Sequence, residues 1–113
     1  MLQSVEIPAV TQARASGDYG QGSGDQWHQL GTTGMFAWAL GIAPSKDNFW
    51  TTRNADGGAL NPRYKDRHGE PYSRIQSAVI TMSRGPVAPS DQNGKSDVAL
   101  IMRSCMKDGT LLQ

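Results

Sequence analysis

The stretch Ala9-Val10-Thr11-Gln12-Ala13-Arg14-Ala15-Ser16-Gly17-Asp18 decides how the chain reads. Its first half is apolar and β-branched, as a buried strand requires, and it runs out in Arg14, Ser16 and Asp18 where a glycine-rich loop over residues 17–24 begins. A strand over residues 9–15 that ends this way delivers a guanidinium and a carboxylate, four residues apart, to the rim of a sheet. In parallel α/β folds the rim at the carboxyl ends of the strands is where chemistry is done.

Outward from that stretch the elements alternate. Residues 27–40 read as a helix on which Trp27, Leu30, Gly34 and Trp38 share one face, with Trp38 in the core, Gly41 as C-cap and Pro44 as a stop. The aromatic and β-branched run Asn48-Phe49-Trp50-Thr51-Thr52 predicts a second strand over residues 47–52. Residues 53–71 hold three glycines and two prolines without periodicity, the pattern of a mobile loop. Ser73 and Gln76 form a capping box for a helix to about Ser83, on which Ile75, Ala78, Val79 and Met82 make one apolar stripe. Residues 85–88 predict a third strand, weakened by Pro86 and the neighbouring Pro89. Ser96 then caps a last helix carrying Val98, Ile101, Met102 and Cys105 on one stripe. Strand, helix, strand, helix, strand, helix is the order of βα units around a parallel sheet, so the fold class expected is α/β.

Composition bounds the function. A chain of 113 residues, 37% hydrophobic and 19% charged with a net charge of +1, forms at most one small globular unit over residues 1–113. The near-neutral balance gives no reason to expect nucleic acid or an anionic membrane as partner. No apolar stretch reaches the roughly 20 residues of a membrane span, and no targeting segment can be read. Cys105 is the single cysteine, so an intrachain disulfide is excluded, and with only His28 and His68 beside it no structural zinc site forms.

Four segments, in order, resemble the C-terminal part of the (β/α)8 barrels of raffinose synthases and α-galactosidases. They are Arg14-Ala15-Ser16-Gly17-Asp18-Tyr19, Pro44-Ser45-Lys46-Asp47-Asn48-Phe49, Gly85-Pro86-Val87-Ala88-Pro89-Ser90-Asp91, and the stretch from Leu100-Ile101 to Asp108-Gly109-Thr110-Leu111-Leu112. The resemblance implies a partial TIM barrel, about its last three βα units, acting on an α-galactoside-like carbohydrate. It implies that Asp18 is the general acid/base carboxylate and that Arg14 holds sugar hydroxyls and orients it. Asp47 matches the last Asp of the family's Pro-Asp-Trp-Asp segment, in which Ser45 and Lys46 replace the first Asp and the Trp. Ser90 and Asp91 match the Ser-Asp at the end of the last barrel strand, and Trp50 near a strand end is a candidate for sugar stacking. No cofactor or metal is implied, because glycosyl transfer by paired carboxylates needs neither.

A retaining glycosidase also needs a nucleophile, which in this family lies on an earlier strand, and a complete barrel needs about 250 residues. The expectation is therefore a barrel fragment without hydrolytic activity of its own. Two other readings stay open: a non-catalytic carbohydrate-binding remnant, favoured by Ser45 and Lys46, and an unrelated small α/β domain. Plain chemistry accounts for the remaining polar residues. Arg14 with Asp18 also fits an exposed ion pair, and Asp47, Ser90 and Asp91 also fit turns. His28 and His68 read as solvated imidazoles, Cys105 as an inert buried thiol, and Arg63, Lys65 and Arg67 as a solvated loop.

Overall fold

A computed structural model describes residues 3–20, 25–53 and 69–112, with residues 25–29 as backbone only. In chain order these residues form α1 (Gln3–Glu6), β1 (Gln12–Arg14), α2 (Asp25–Ala39), β2 (Ala43–Ser45), α3 (Ser73–Met82) and α4 (Val98–Ile101). The strands β1 and β2 are parallel neighbours, with Gln12, Ala13 and Arg14 opposite Ala43, Pro44 and Ser45. The architecture is a small α/β unit built on that pair.

The connection from α2 into β2 explains why the second strand lies earlier than the expected residues 47–52. Gly41, at φ 74°, donates to the Trp38 carbonyl at 2.9 Å, and Ile42 donates to the Ala37 carbonyl at 3.1 Å. These are the two bonds of a left-handed glycine cap, and they turn the chain out of the helix and into the strand within two residues. Pro44, read from sequence as a helix stop, is thus the middle residue of β2. It costs β1 no bond, because the ladder runs from Ala43 N–H to the Thr11 carbonyl (2.9 Å) and from Ala15 N–H to the Ser45 carbonyl (2.8 Å). Beyond β2, Phe49 forms a single parallel bridge with Pro89, donating to the Ala88 carbonyl at 3.2 Å and accepting from Ser90 N–H at 2.9 Å. The expected strands over 47–52 and 85–88 therefore reduce to this bridge, since two prolines deny the second segment a ladder.

The buried apolar side chains are Ala15, Leu30, Ala37, Ile42, Phe49, Ile80 and Leu100, with Phe49 and Ile80 fully enclosed. Helix α2 turns Leu30 and Ala37 inward, which carries Trp38 to the outside at 68% exposure, against the expectation of a core tryptophan. Helix α3 departs further from its sequence pattern. It buries Gln76, Ser77 and Ile80, while Ile75 and Ala78 are exposed, Val79 is half-buried and Met82 is 83% exposed. The capping box is also absent, because Tyr72 occupies the N-cap position and makes no side-chain capping bond, and Ser73 donates instead to the Glu70 carbonyl.

The last helix is short. Asp97, not Ser96, caps α4 by accepting from Leu100 N–H at 2.9 Å. Met102 and Cys105 fall beyond its end, and Cys105 is half-buried in an antiparallel bridge with Leu111 rather than on a helical stripe. Of the expected loop over residues 53–71, residues 54–68 lie outside the described residues, as do His68 and the basic cluster Arg63, Lys65 and Arg67. No helix among the described residues is long and apolar enough to cross a membrane.

Candidate functional site

The carboxyl ends of β1 and β2 lie side by side, and the residues that follow each strand interlock there. Arg14, the last residue of β1, reaches Asp18 Oδ1 with Nη2 at 2.8 Å and Asp47 Oδ1 with Nη1 at 3.4 Å. The hydrogen bond to Asp18 holds the guanidinium above its ordinary pKa, against a small desolvation effect and with help from Asp47. Two carboxylates from two neighbouring strand ends thus converge on one cation. Asp18 remains 87% exposed, whereas Asp47 is largely covered.

Asp47 is fixed from both sides. Its backbone N–H donates to the buried Ser16 hydroxyl at 2.8 Å, and its Oδ2 accepts from Tyr19 N–H at 2.7 Å. Backbone-to-carboxylate bonds of this kind orient an acceptor without needing any long side chain to be ordered. The Ser16 hydroxyl also donates to the Gly17 carbonyl at 3.1 Å, so the turn after β1 and the turn after β2 share a single hydroxyl.

Behind this rim lies a group of residues that sequence reasoning did not single out as site residues. Tyr19 Oη donates to Glu70 Oε2 at 2.6 Å and accepts from Trp50 N–H at 3.2 Å. Burial first, then the bond to Glu70, pushes the Tyr19 phenol well above its ordinary pKa, so it stays a donor. Glu70, almost wholly buried, uses Oε1 to accept from Tyr72 N–H at 2.8 Å. Lys46, 3% exposed, donates to the carbonyls of Asn48 at 3.1 Å and Asp47 at 3.4 Å, and its ammonium sits 5.0 Å from the centre of the Tyr19 ring. Trp50 meets Tyr19 edge-on at 6.5 Å between ring centres. A signal for Lys46 was available, since in the resemblance drawn from sequence it stands where a Trp is expected. Glu70 carried none, because its partner is 51 residues away.

The other two expected site residues engage the segment after β2. Ser90 Oγ donates to the Phe49 carbonyl at 3.3 Å. Asp91 accepts from Thr51 N–H at 2.8 Å and from the Thr51 hydroxyl at 2.7 Å, and that hydroxyl accepts from Asp97 N–H at 2.7 Å. Arg14, Asp18 and Asp47 are therefore brought together with Trp50 behind them, while Ser90 and Asp91 brace the Phe49 to Thr51 backbone. Among the described residues no group of three or more His, Cys, Asp and Glu side chains is arranged to hold a metal ion.

Compared with known proteins, the chain matches no protein family, no curated protein and no solved structure.

Proposed function

We propose that the rim formed by Arg14, Asp18 and Asp47 binds the hydroxyl groups of an α-galactoside-like sugar, as part of a glycoside hydrolase-like barrel, and that this chain does not cleave the bond. The observation that carries the reading is the Arg14 guanidinium held between carboxylates from two adjoining parallel strand ends. Vicinal sugar hydroxyls each donate and accept, and an alternating array of carboxylate and guanidinium groups offers both roles on one surface. Trp50, half-buried beside Tyr19, supplies an aromatic flank for the apolar face of a sugar ring. The parallel pairing of β1 with β2, and the separate parallel bridge of Phe49 with Pro89, are compatible with this reading.

The reading without cleavage is supported by how the carboxylates described around the rim are occupied. Hydrolysis with retention needs an acid/base and a nucleophile roughly 5 to 5.5 Å apart across the scissile bond. Asp18 is the exposed carboxylate suited to the first role. Asp47 has one oxygen on Tyr19 N–H and the other toward Arg14, and Glu70 is enclosed with Tyr19 Oη and Tyr72 N–H, so neither faces outward as a nucleophile.

Titration of the labelled chain with methyl α-galactoside, followed by amide NMR, tests this. Saturable shifts at Arg14, Asp18 and Asp47 are expected with a dissociation constant of about millimolar, and they vanish in Arg14→Met. Asp18→Asn, at an exposed ion pair, is expected to leave thermal stability nearly unchanged while weakening binding. Absence of any shift up to about 100 mM sugar overturns the binding reading. Hydrolysis of an aryl α-galactoside that is lost on Asp18→Asn overturns the statement that the chain does not cleave.

A further inference from the structure

Next to the rim lies one buried cation, Lys46, the only charged amine enclosed among the described residues. We infer that Lys46 is a proton-controlled positioning residue: as an ammonium it ties the turn after β2 to the Tyr19 ring and so fixes Asp47 and Trp50, and on losing its proton it releases them. The inference bears on the same rim proposed to hold sugar, but its evidence and its test do not need a sugar.

Among the described residues the geometry gives Lys46 three grips and no salt bridge. Nζ donates to two successive backbone carbonyls, those of Asp47 and Asn48, so it spans the turn that carries Asp47. It also faces the Tyr19 ring at 5.0 Å from the centroid. Tyr19 in turn donates its N–H to Asp47 Oδ2, accepts from Trp50 N–H at its hydroxyl oxygen and donates its phenolic O–H to Glu70 Oε2. Every one of the three Lys46 contacts is stronger for the ammonium than for the amine: two are charge-assisted hydrogen bonds and the third exists only for a cation.

The charged and titratable groups around Lys46 are few. Asp47 lies on its own segment, Tyr19 comes from the turn after β1, and Glu70 comes from the segment ahead of α3. Arg14 stands beyond Asp47, and the Asp91 carboxylate acts electrostatically on Tyr19. Burial pushes the ammonium down to about 8, with Asp47 and Glu70 opposing it. Tyr19 moves the opposite way and keeps its proton, so the ring stays a neutral platform beside the amine.

This arrangement separates local order from global stability. A lysine whose folded pKa is depressed makes the fold more stable as pH rises, because the folded protein sheds the buried proton before the unfolded chain does. Deprotonation therefore loosens the rim while the molecule as a whole becomes harder to unfold. An ordinary structural lysine, paired with a carboxylate, would show the reverse.

The test uses the full chain labelled with 5-fluorotryptophan, followed by fluorine NMR between about pH 6 and pH 10. The Trp50 resonance is assigned by Trp50→Phe. It is expected to shift through a single midpoint near that of Lys46, whose ε-carbon resonance is followed in parallel against Lys65, Lys95 and Lys107 and assigned by Lys46→Arg. Lys46→Met should remove the Trp50 transition, leaving the resonance at its alkaline position at every pH. Lys46→Arg should hold it at its acidic position. Persistence of the transition in Lys46→Met overturns the inference, and so does a Lys46 ε-carbon that titrates with the other lysines above about pH 10, a measurement on the unmutated chain. Failure of the chain to bind methyl α-galactoside with these titrations intact overturns the sugar reading alone.

Discussion

At the ends of β1 and β2, Tyr19, Asp47 and Glu70 give both of their side-chain or backbone polar contacts to named partners, and even a lysine is enclosed. Between α2 and α3 the situation is reversed. There Met35, Trp38, Ala78, Val79 and Met82 line an open groove of about 520 Å³ whose apolar walls face outward, while the same helix α3 turns Gln76 and Ser77 into the interior. Gln76 is fully buried, and among the described residues neither its amide oxygen nor its nitrogen has a hydrogen-bond partner. Polar atoms in the first region are specified by their partners. In the second, the packing has set the helix rotation against its own hydrophobic pattern. The difference teaches that order in this small protein comes from hydrogen bonds between strand ends more than from the apolar faces of its helices.

Breaking the polar region should have the largest effect. Glu70→Ala leaves the Tyr19 hydroxyl and Tyr72 N–H without their acceptor and should cost about 3 kcal/mol in chemical denaturation. A pH series comes next. Because burial depresses the Lys46 pKa from 10.5 to about 8, stability should rise by on the order of 3 kcal/mol as pH passes from the lower to the higher value, and Lys46→Met should flatten that rise. Gln76→Leu sharpens the contrast from the other side. Replacing an unpartnered buried amide by an apolar group of similar size should raise stability by about 1 kcal/mol, read as a higher melting temperature. The groove should respond least: Met82→Ser, at a side chain 83% exposed, should change stability by less than about 0.5 kcal/mol. A loss of several times that size would mean that the groove is an organised part of the fold and would erase the contrast.

The local signals in the sequence served well where bonds are local. Gly41 as the end of α2 and the Arg14 to Asp18 pair four residues apart were legible, because each depends on neighbours within a turn, whereas the capping box read at Ser73 and Gln76 is absent. The convergence of Arg14 and Asp47 was approached only through the family resemblance, since residues 33 apart meet by strand pairing. The second strand was displaced because aromatic and β-branched residues at 48–52 signal extended chain, whereas the pairing partner of β1 is the less conspicuous Ala43-Pro44-Ser45. The face of α3 was misjudged for a related reason. Periodicity finds an apolar stripe but not which side the rest of the chain covers, and here the covered side carries Gln76, Ser77 and Ile80. Lys46, Tyr19 and Glu70 form a set whose members lie in three separate segments, and no spacing rule links them.

Gly85 carries one more consequence. After α3 ends at Ser83, Arg84 takes φ 65° and sets Gly85 down on β2, where an added methyl group would stand 2.5 Å from Ser45 Cβ and 2.7 Å from the Pro44 carbonyl oxygen. The exit of the helix and the strand below it are thus separated by a bare backbone thickness, with no side chain as cushion. Ser45 precedes Lys46 directly, so any thickening at position 85 would be passed, like a shim under a lever, to the residue that carries the buried ammonium.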